Sequence, residues 1–122
     1  FTEDDHLLHS SATTKRLYLA IRAQLLALDG ILIEPTKLYV AFKKTAPDGK
    51  KPTNVCDIEI QRNKLKITAN IRHGKIDDPY GIARDISKIG HWGNGDYEIH
   101  LTDDEMLTQA LDIIMQSYRT AK

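Results

Sequence analysis

The sequence predicts an α+β domain: an antiparallel sheet of three to four strands, packed on one face by two long amphipathic helices, with a short third helix. Three observations predict it. Leu17, Ile21, Leu25 and Leu28 recur at spacings of four, four and three, the stripe of one helical face. Leu107, Ala110, Leu111, Ile114 and Tyr118 form a second such stripe near the end of the chain. Between the two, Cys56, Ile58 and Ile60 alternate with Asp57 and Glu59, and Leu65, Ile67, Ala69 and Ile71 alternate with Lys64, Lys66, Thr68 and Asn70. One apolar and one polar face per strand is the pattern of an antiparallel sheet with one solvated side. Two helices are enough to cover the other side.

Taken in order, residues 1–12 are polar around an isolated Leu7-Leu8 pair and read as a docked arm. Thr13 is the expected N-cap of the first helix and Gly30 its terminator. Pro35 separates two extended pieces, and Leu38, Val40 and Phe42 alternate as a strand. Residues 45–54 contain two prolines, a glycine and several lysines and read as an exposed loop. A hairpin follows, turning at Gln61-Arg62-Asn63. Asp78 before Pro79 looks like a cap and first-turn proline, so a short helix carrying Ile82 and Ile86 is expected up to Gly90. A strand is expected from about Asp96 to Leu101, then a capping box of Thr102 and Glu105 opening the last helix. The whole of 1–122 reads as a single domain. A chain beginning at Phe1 is expected to be excised from a longer protein.

Lysine plus arginine equals aspartate plus glutamate at 17 each, so there is no global basic excess of the kind a nucleic-acid module often shows. The lone Cys56 cannot form an internal disulfide, which suits a reducing cytoplasm, and no apolar run approaches the length of a membrane span. No HExxH or Cys/His zinc spacing and no G-x-S-x-G elbow is present. Asp57 and Glu59 are an i, i+2 carboxylate pair, but Glu59 is followed by Ile60 and Gln61 where a metal-dependent nuclease core would place lysine. Cross-strand pairing with Lys64 and Lys66 is the plainer role. Cys56 alternates with inward isoleucines and reads as a small core hydrophobe.

The stretch Gly90-His91-Trp92-Gly93-Asn94-Gly95-Asp96 reverses the glycine order of the dinucleotide fingerprint and leads into a strand, which rejects that reading. Asn94-Gly95 is a turn signal. The plainer reading turns Trp92 onto the core. The functional one makes Trp92 a stacking face, His91 a polar contact, and Asn94 and Asp96 further ligand candidates.

The segments KLYVAFKK, VCDIEIQRNKLKITANI, DDPYGIARDISKIGHWGNGDYEIHL and IIMQSYRTA together resemble the domain-of-unknown-function family 5655. The family pattern is similar to K-x-Y-x-A-[FY]-K, N-F-V-D-I, K-L-K-[LI]-x-x-N and a closing G-H-W-G-N-G-D, and the fit extends over about residues 3–120. Val55-Cys56 departs from the usual Phe-Val, and the loop at 45–53 is longer. The resemblance implies an accessory domain, alone or C-terminal in larger proteins, among restriction-endonuclease-like and other defence proteins, and it supplies no catalytic residue and no cofactor. The expected function is non-catalytic recognition of nucleic acid or of a partner nuclease domain, with no membrane partner. Arg62, Lys64, Lys66 and Arg84, with Arg72, would contact phosphates, and His91 and Trp92 would stack an unpaired or modified base. A sensor of small or nucleotide-derived ligands is the alternative, with the Trp92 loop closing a pocket. A metal-dependent hydrolase using Asp57, Glu59 and Asp77, Asp78 or Asp85 ranks third.

Overall fold

A computed structural model of the chain describes residues 1–90 and 94–121. Six antiparallel strands form one sheet in the order β1-β2-β3-β4-β6-β5: β1 Ile31–Pro35, β2 Val40–Lys44, β3 Thr53–Ile60, β4 Leu65–Ala69, β5 Ala83–Asp85 and β6 Tyr97–Leu101. Three helices accompany it: α1 Glu3–Leu7, α2 Ala12–Leu26 and α3 Leu107–Thr120.

The expected sheet of three to four strands is therefore wrong by two edges. β1 ends at Pro35, paired with Val40, so the proline sits where an edge strand tolerates a missing donor. β5 occupies the place expected for the short helix. Asp78 does not cap a helix. Its carboxylate accepts from Ala83 N at 2.9 Å, and Gly81 N bonds Asp78 O at 3.3 Å. Asp-Pro-Tyr-Gly is thus a turn with Gly81 at φ +68°, and the chain leaves it extended to pair Arg84 with Glu98. Ile82 and Ile86, four apart, could not distinguish a helical turn from two strand repeats. The short helix is instead α1, where an arm was expected, opened by a capping box between Thr2 and Asp5.

Two further caps move. Ser11, not Thr13, caps α2, accepting from Thr14 N. Asp103 replaces Thr102, capping a 3-10 turn at Asp104–Met106 before α3 begins. Leu38 lies outside β2, exposed in a turn closed by Thr36 and Tyr39.

Leu17, Tyr18, Ile21 and Leu25 from α2 and Ala110, Ile113 and Ile114 from α3 join one cluster with Val40, Phe42, Cys56, Ile58, Leu65, Ile67, Ile99 and Leu101. By strand parity these sheet residues share one face. The opposite face carries a row crossing all six strands: Glu34, Ala41, Asp57, Thr68, Glu98 and Arg84 are successive register partners. Among the described residues, no helix is long and apolar enough to cross a membrane.

Candidate functional site

The centre of that transverse row is dry although it is polar. Asp57 is 2% exposed, Thr68 4% and Glu98 5%. Burying charge this deeply costs unless partners compensate, and the two carboxylates differ in how well they are served.

Glu98 is well served. His100 Nε2 lies 2.6 Å from Oε1, Lys66 Nζ 3.6 Å from Oε2, and Arg84 4.0 Å from Oε1. Lys64 Nζ is 3.2 Å from His100 Nδ1 and can only donate, so Nδ1 accepts and Nε2–H points at Glu98. Burial opposes ionisation of Glu98, but the His100 hydrogen bond with Lys66 and Arg84 outweighs it and holds the carboxyl below its usual range.

Asp57 is poorly served. Its Oδ2 accepts from Asn94 N at 2.7 Å and from Asn54 Nδ2 at 3.3 Å. Its Oδ1 is buried with no partner among the described residues, and so is Asn54 Oδ1. Burial pushes the Asp57 carboxyl up to about 6, and the bonds from Asn94 and Asn54 pull it back only in part. Beside it is a hollow of about 10 Å³ lined by Tyr39, Asp57, Glu59, Lys66 and Thr68.

Asn54 reaches Asp57 because the strand is bulged. Phe42 pairs with Cys56 and Lys43 with Asn54, so Val55 is the extra residue. The bulge reverses parity and turns Asn54 onto the polar face, three positions from Asp57, a re-aiming of the kind bulges perform beside functional sites. Asn70 holds it in place, its N bonding Val55 O at 3.1 Å and its Nδ2 donating to Asn54 O at 2.8 Å. Ser117 of α3 donates to Val55 O at 2.7 Å from behind. Gly95 completes the approach: at φ +114° its backbone lies directly against Ala69 and Asn70, which sets Asn94 N over Asp57.

The residues expected to bind a ligand do not form one group. Asn94 belongs to the Asp57 centre. Asp96 has a structural role, accepting from His73 N at 2.8 Å while its backbone pairs with Ile71 and Ile86. Lys66 and Arg84 face Glu98. Arg62 and Lys64 lie at the β3–β4 turn, the far end of that ladder from Asn94, where Arg62 O receives Ser11 N and the Thr14 hydroxyl. His91 and Trp92 lie outside the described residues. Sequence reading missed Asn54, Asn70 and Glu98 as members of the site, and assigned Asp57 a surface charge pair. The asparagines were legible only as motif letters.

Other chemistry-bearing groups are accounted for. Among the described residues no group of three or more His, Cys, Asp or Glu is placed to hold a metal ion. His73, Asp85 and Ser87 are neighbours, but both the Ser87 hydroxyl and the Asp85 carboxylate face His73 Nδ1, at 3.4 and 2.8 Å. A relay needs them on opposite ring nitrogens. Cys56 is fully buried, and burial pushes its thiol up, away from the reactive thiolate. In the native protein Cys56 is expected to resist thiol reagents, with labelling at the rate of global unfolding; rapid labelling under native conditions would contradict the burial.

A second feature is a cleft of about 620 Å³ beyond the end of β4, between residues 70–75 and the last turn of α3. Arg72 and Lys75 line it on one side, and Gln116, Ser117 and Thr120 of α3 on the other.

Comparison with known proteins places these features in a family. The family described as Domain of unknown function (DUF5655) matches residues 3–121. The chain belongs to this family. Asn54, Asp57, Asn70 and Asn94, all letters of the DUF5655-like motifs read in the sequence, are the residues that meet at the bulge. The chain is also similar to an uncharacterized protein of Haemophilus influenzae, 38% identical over 120 residues, covering 98% of this chain and 37% of that protein. It thus spans little more than a third of that relative's length. No solved structure matches.

Proposed function

We propose that this DUF5655 domain is a non-catalytic recognition module of a longer prokaryotic restriction or anti-phage defence protein, and that it reads an exposed nucleobase at the Asn54–Asp57 centre. The observation that carries the reading is a pair of buried acceptors without a donor among the described residues, Asp57 Oδ1 and Asn54 Oδ1, on side chains already bonded to each other. An exocyclic amine of cytosine or adenine offers two N–H donors, the complement of such a pair. The hollow beside Asp57 admits one water-sized group, which an amine tip is. Tyr39, half-buried at its rim, offers a ring on which the base can stack.

The charge pattern shapes the expectation. Lys66 and Arg84 are engaged by Glu98, so phosphate contact falls to Arg62 and Lys64. Two contacts to a single strand give a log–log salt slope of roughly −1.4, far shallower than for a basic module.

Fluorescence anisotropy with plain and modified single-stranded oligonucleotides, at several salt concentrations, tests this. Binding with a shallow salt slope is expected, weakened at least tenfold by Asp57→Asn. Absence of binding to every oligonucleotide, or binding indifferent to Asp57→Asn, rules the reading out.

A further inference from the structure

The cleft beyond β4 goes further than the nucleobase reading and needs neither Asp57 nor a nucleic-acid strand. At about 620 Å³ it is within the size range of small-molecule sites. Its walls are braced by contacts that no ligand is needed to form. Gln116 grips the backbone of Asp77 in both directions, accepting from its N at 2.9 Å and donating to its O at 2.6 Å. Ser117 ties α3 to Val55 O and to Asn70 O.

The lining is selective in charge. Among the described residues no carboxylate lines this cleft, while Arg72 and Lys75 both do, and neither of these makes an ion pair. The C-terminal end of α3, which would repel an anion through its exposed carbonyls, is covered. The Thr120 hydroxyl donates to Gln116 O and Ser117 O, and Lys44 Nζ to Tyr118 O and Ala121 O. Ile71 and Ala121, both buried, give the cleft an apolar part. Two cations beside an apolar part, in a ligand-sized cleft where the described residues supply neither cation with an ion pair and the lining with no carboxylate, fit a molecule with an anionic head and a flat or apolar body.

We propose that this cleft binds a phosphate-bearing small molecule of nucleotide size, its phosphate on Arg72 and Lys75 and its body against Ile71 and Ala121. Titration calorimetry at fixed ionic strength, with AMP and inorganic pyrophosphate as probes and adenosine and sulfate as controls, tests it. AMP is expected to bind, adenosine and sulfate at least tenfold more weakly. The double variant Arg72→Glu/Lys75→Glu, both exposed positions, is expected to lose AMP at least tenfold with its melting temperature held. Asp57→Asn is expected to bind AMP as the parent does, which separates this site from the nucleobase centre. Failure of both phosphate probes to bind, sulfate or adenosine binding as well as AMP, or AMP binding unchanged in the double variant would each overturn the proposal.

Discussion

Replacing Asp57 with asparagine is expected to stabilise the domain at pH 7.5, by up to about 3 kcal/mol. The figure follows from a carboxyl moved from 3.8 to about 6 on folding, at about 1.4 kcal/mol per unit. The sign is set by which state holds the proton more tightly. A carboxyl raised in the folded state favours folding fully only below pH 3.8. That contribution is lost as pH rises through about 6, so at neutral pH the ionised Asp57 works against the fold. Asparagine keeps the shape and can still accept from Asn94 N and Asn54 Nδ2. It also removes the buried charge, while Asp57 Oδ1 in the parent has no partner among the described residues. The difference between variant and parent isolates this group, because Glu98, Asp85 and Glu3, all held below their usual range, contribute equally to both. Urea unfolding from pH 4 to 8 is expected to show the two proteins close at pH 4, diverging as pH rises toward 6, and separated by a nearly constant gap above that. A variant less stable than the parent at pH 7.5, or a gap that does not change with pH, would refute the burial account. A group kept against its own stability cost is characteristic of a functional site, which is what the proposed binding role of Asp57 requires.

Gly95→Ala is expected to be the most damaging alanine substitution among the described glycines, costing about 3–5 kcal/mol. A Cβ there would sit 2.0 Å from Ala69 O and 2.6 Å from Asn70 Cα, at φ +114°. Both neighbours are backbone of β4 and its exit, so neither can rotate aside. Gly49→Ala separates contact from conformation: φ is +76°, but nothing lies within 4 Å. That variant is expected to lose only the left-handed penalty of about 1–2 kcal/mol. Denaturant midpoints compare the two, and equal losses would mean that Gly95 answers a backbone angle and not the close approach to β4. Losing this approach also withdraws Asn94 N from Asp57, so fold and site fail together.

What the residues disclosed in advance depended on whether a local signal had one meaning. The α2 and α3 stripes, the β3–β4 alternation and β6 rest on repeated periods that no competing structure satisfies. Asp78-Pro79 had two meanings, cap or turn, and Gly81 decided it by closing the turn. Pro35 reads as the end of one extended piece, and it does end β1; what the residues before it do not disclose is that this piece pairs as the edge strand of the sheet. The candidate site was the least legible part. Strand parity places Asn54 on the face of Cys56, away from Asp57, and only the bulge at Val55 reverses this. A bulge arises from the pairing of two strands and leaves no period in one of them. The depth of Asp57 is equally non-local: of the two lysines that alternation assigned to Asp57 and Glu59, Lys66 pairs with Glu98 of β6 and Lys64 meets His100.

The proposed role of Asp57 is binding, held at the expense of stability. The most direct measurement is oligonucleotide affinity for the parent and Asp57→Asn proteins, on samples whose unfolding free energies are measured in parallel at pH 7.5. The expected result is a variant more stable than the parent that binds at least tenfold more weakly. A variant that is more stable and binds equally well, or one that loses both together, would contradict it.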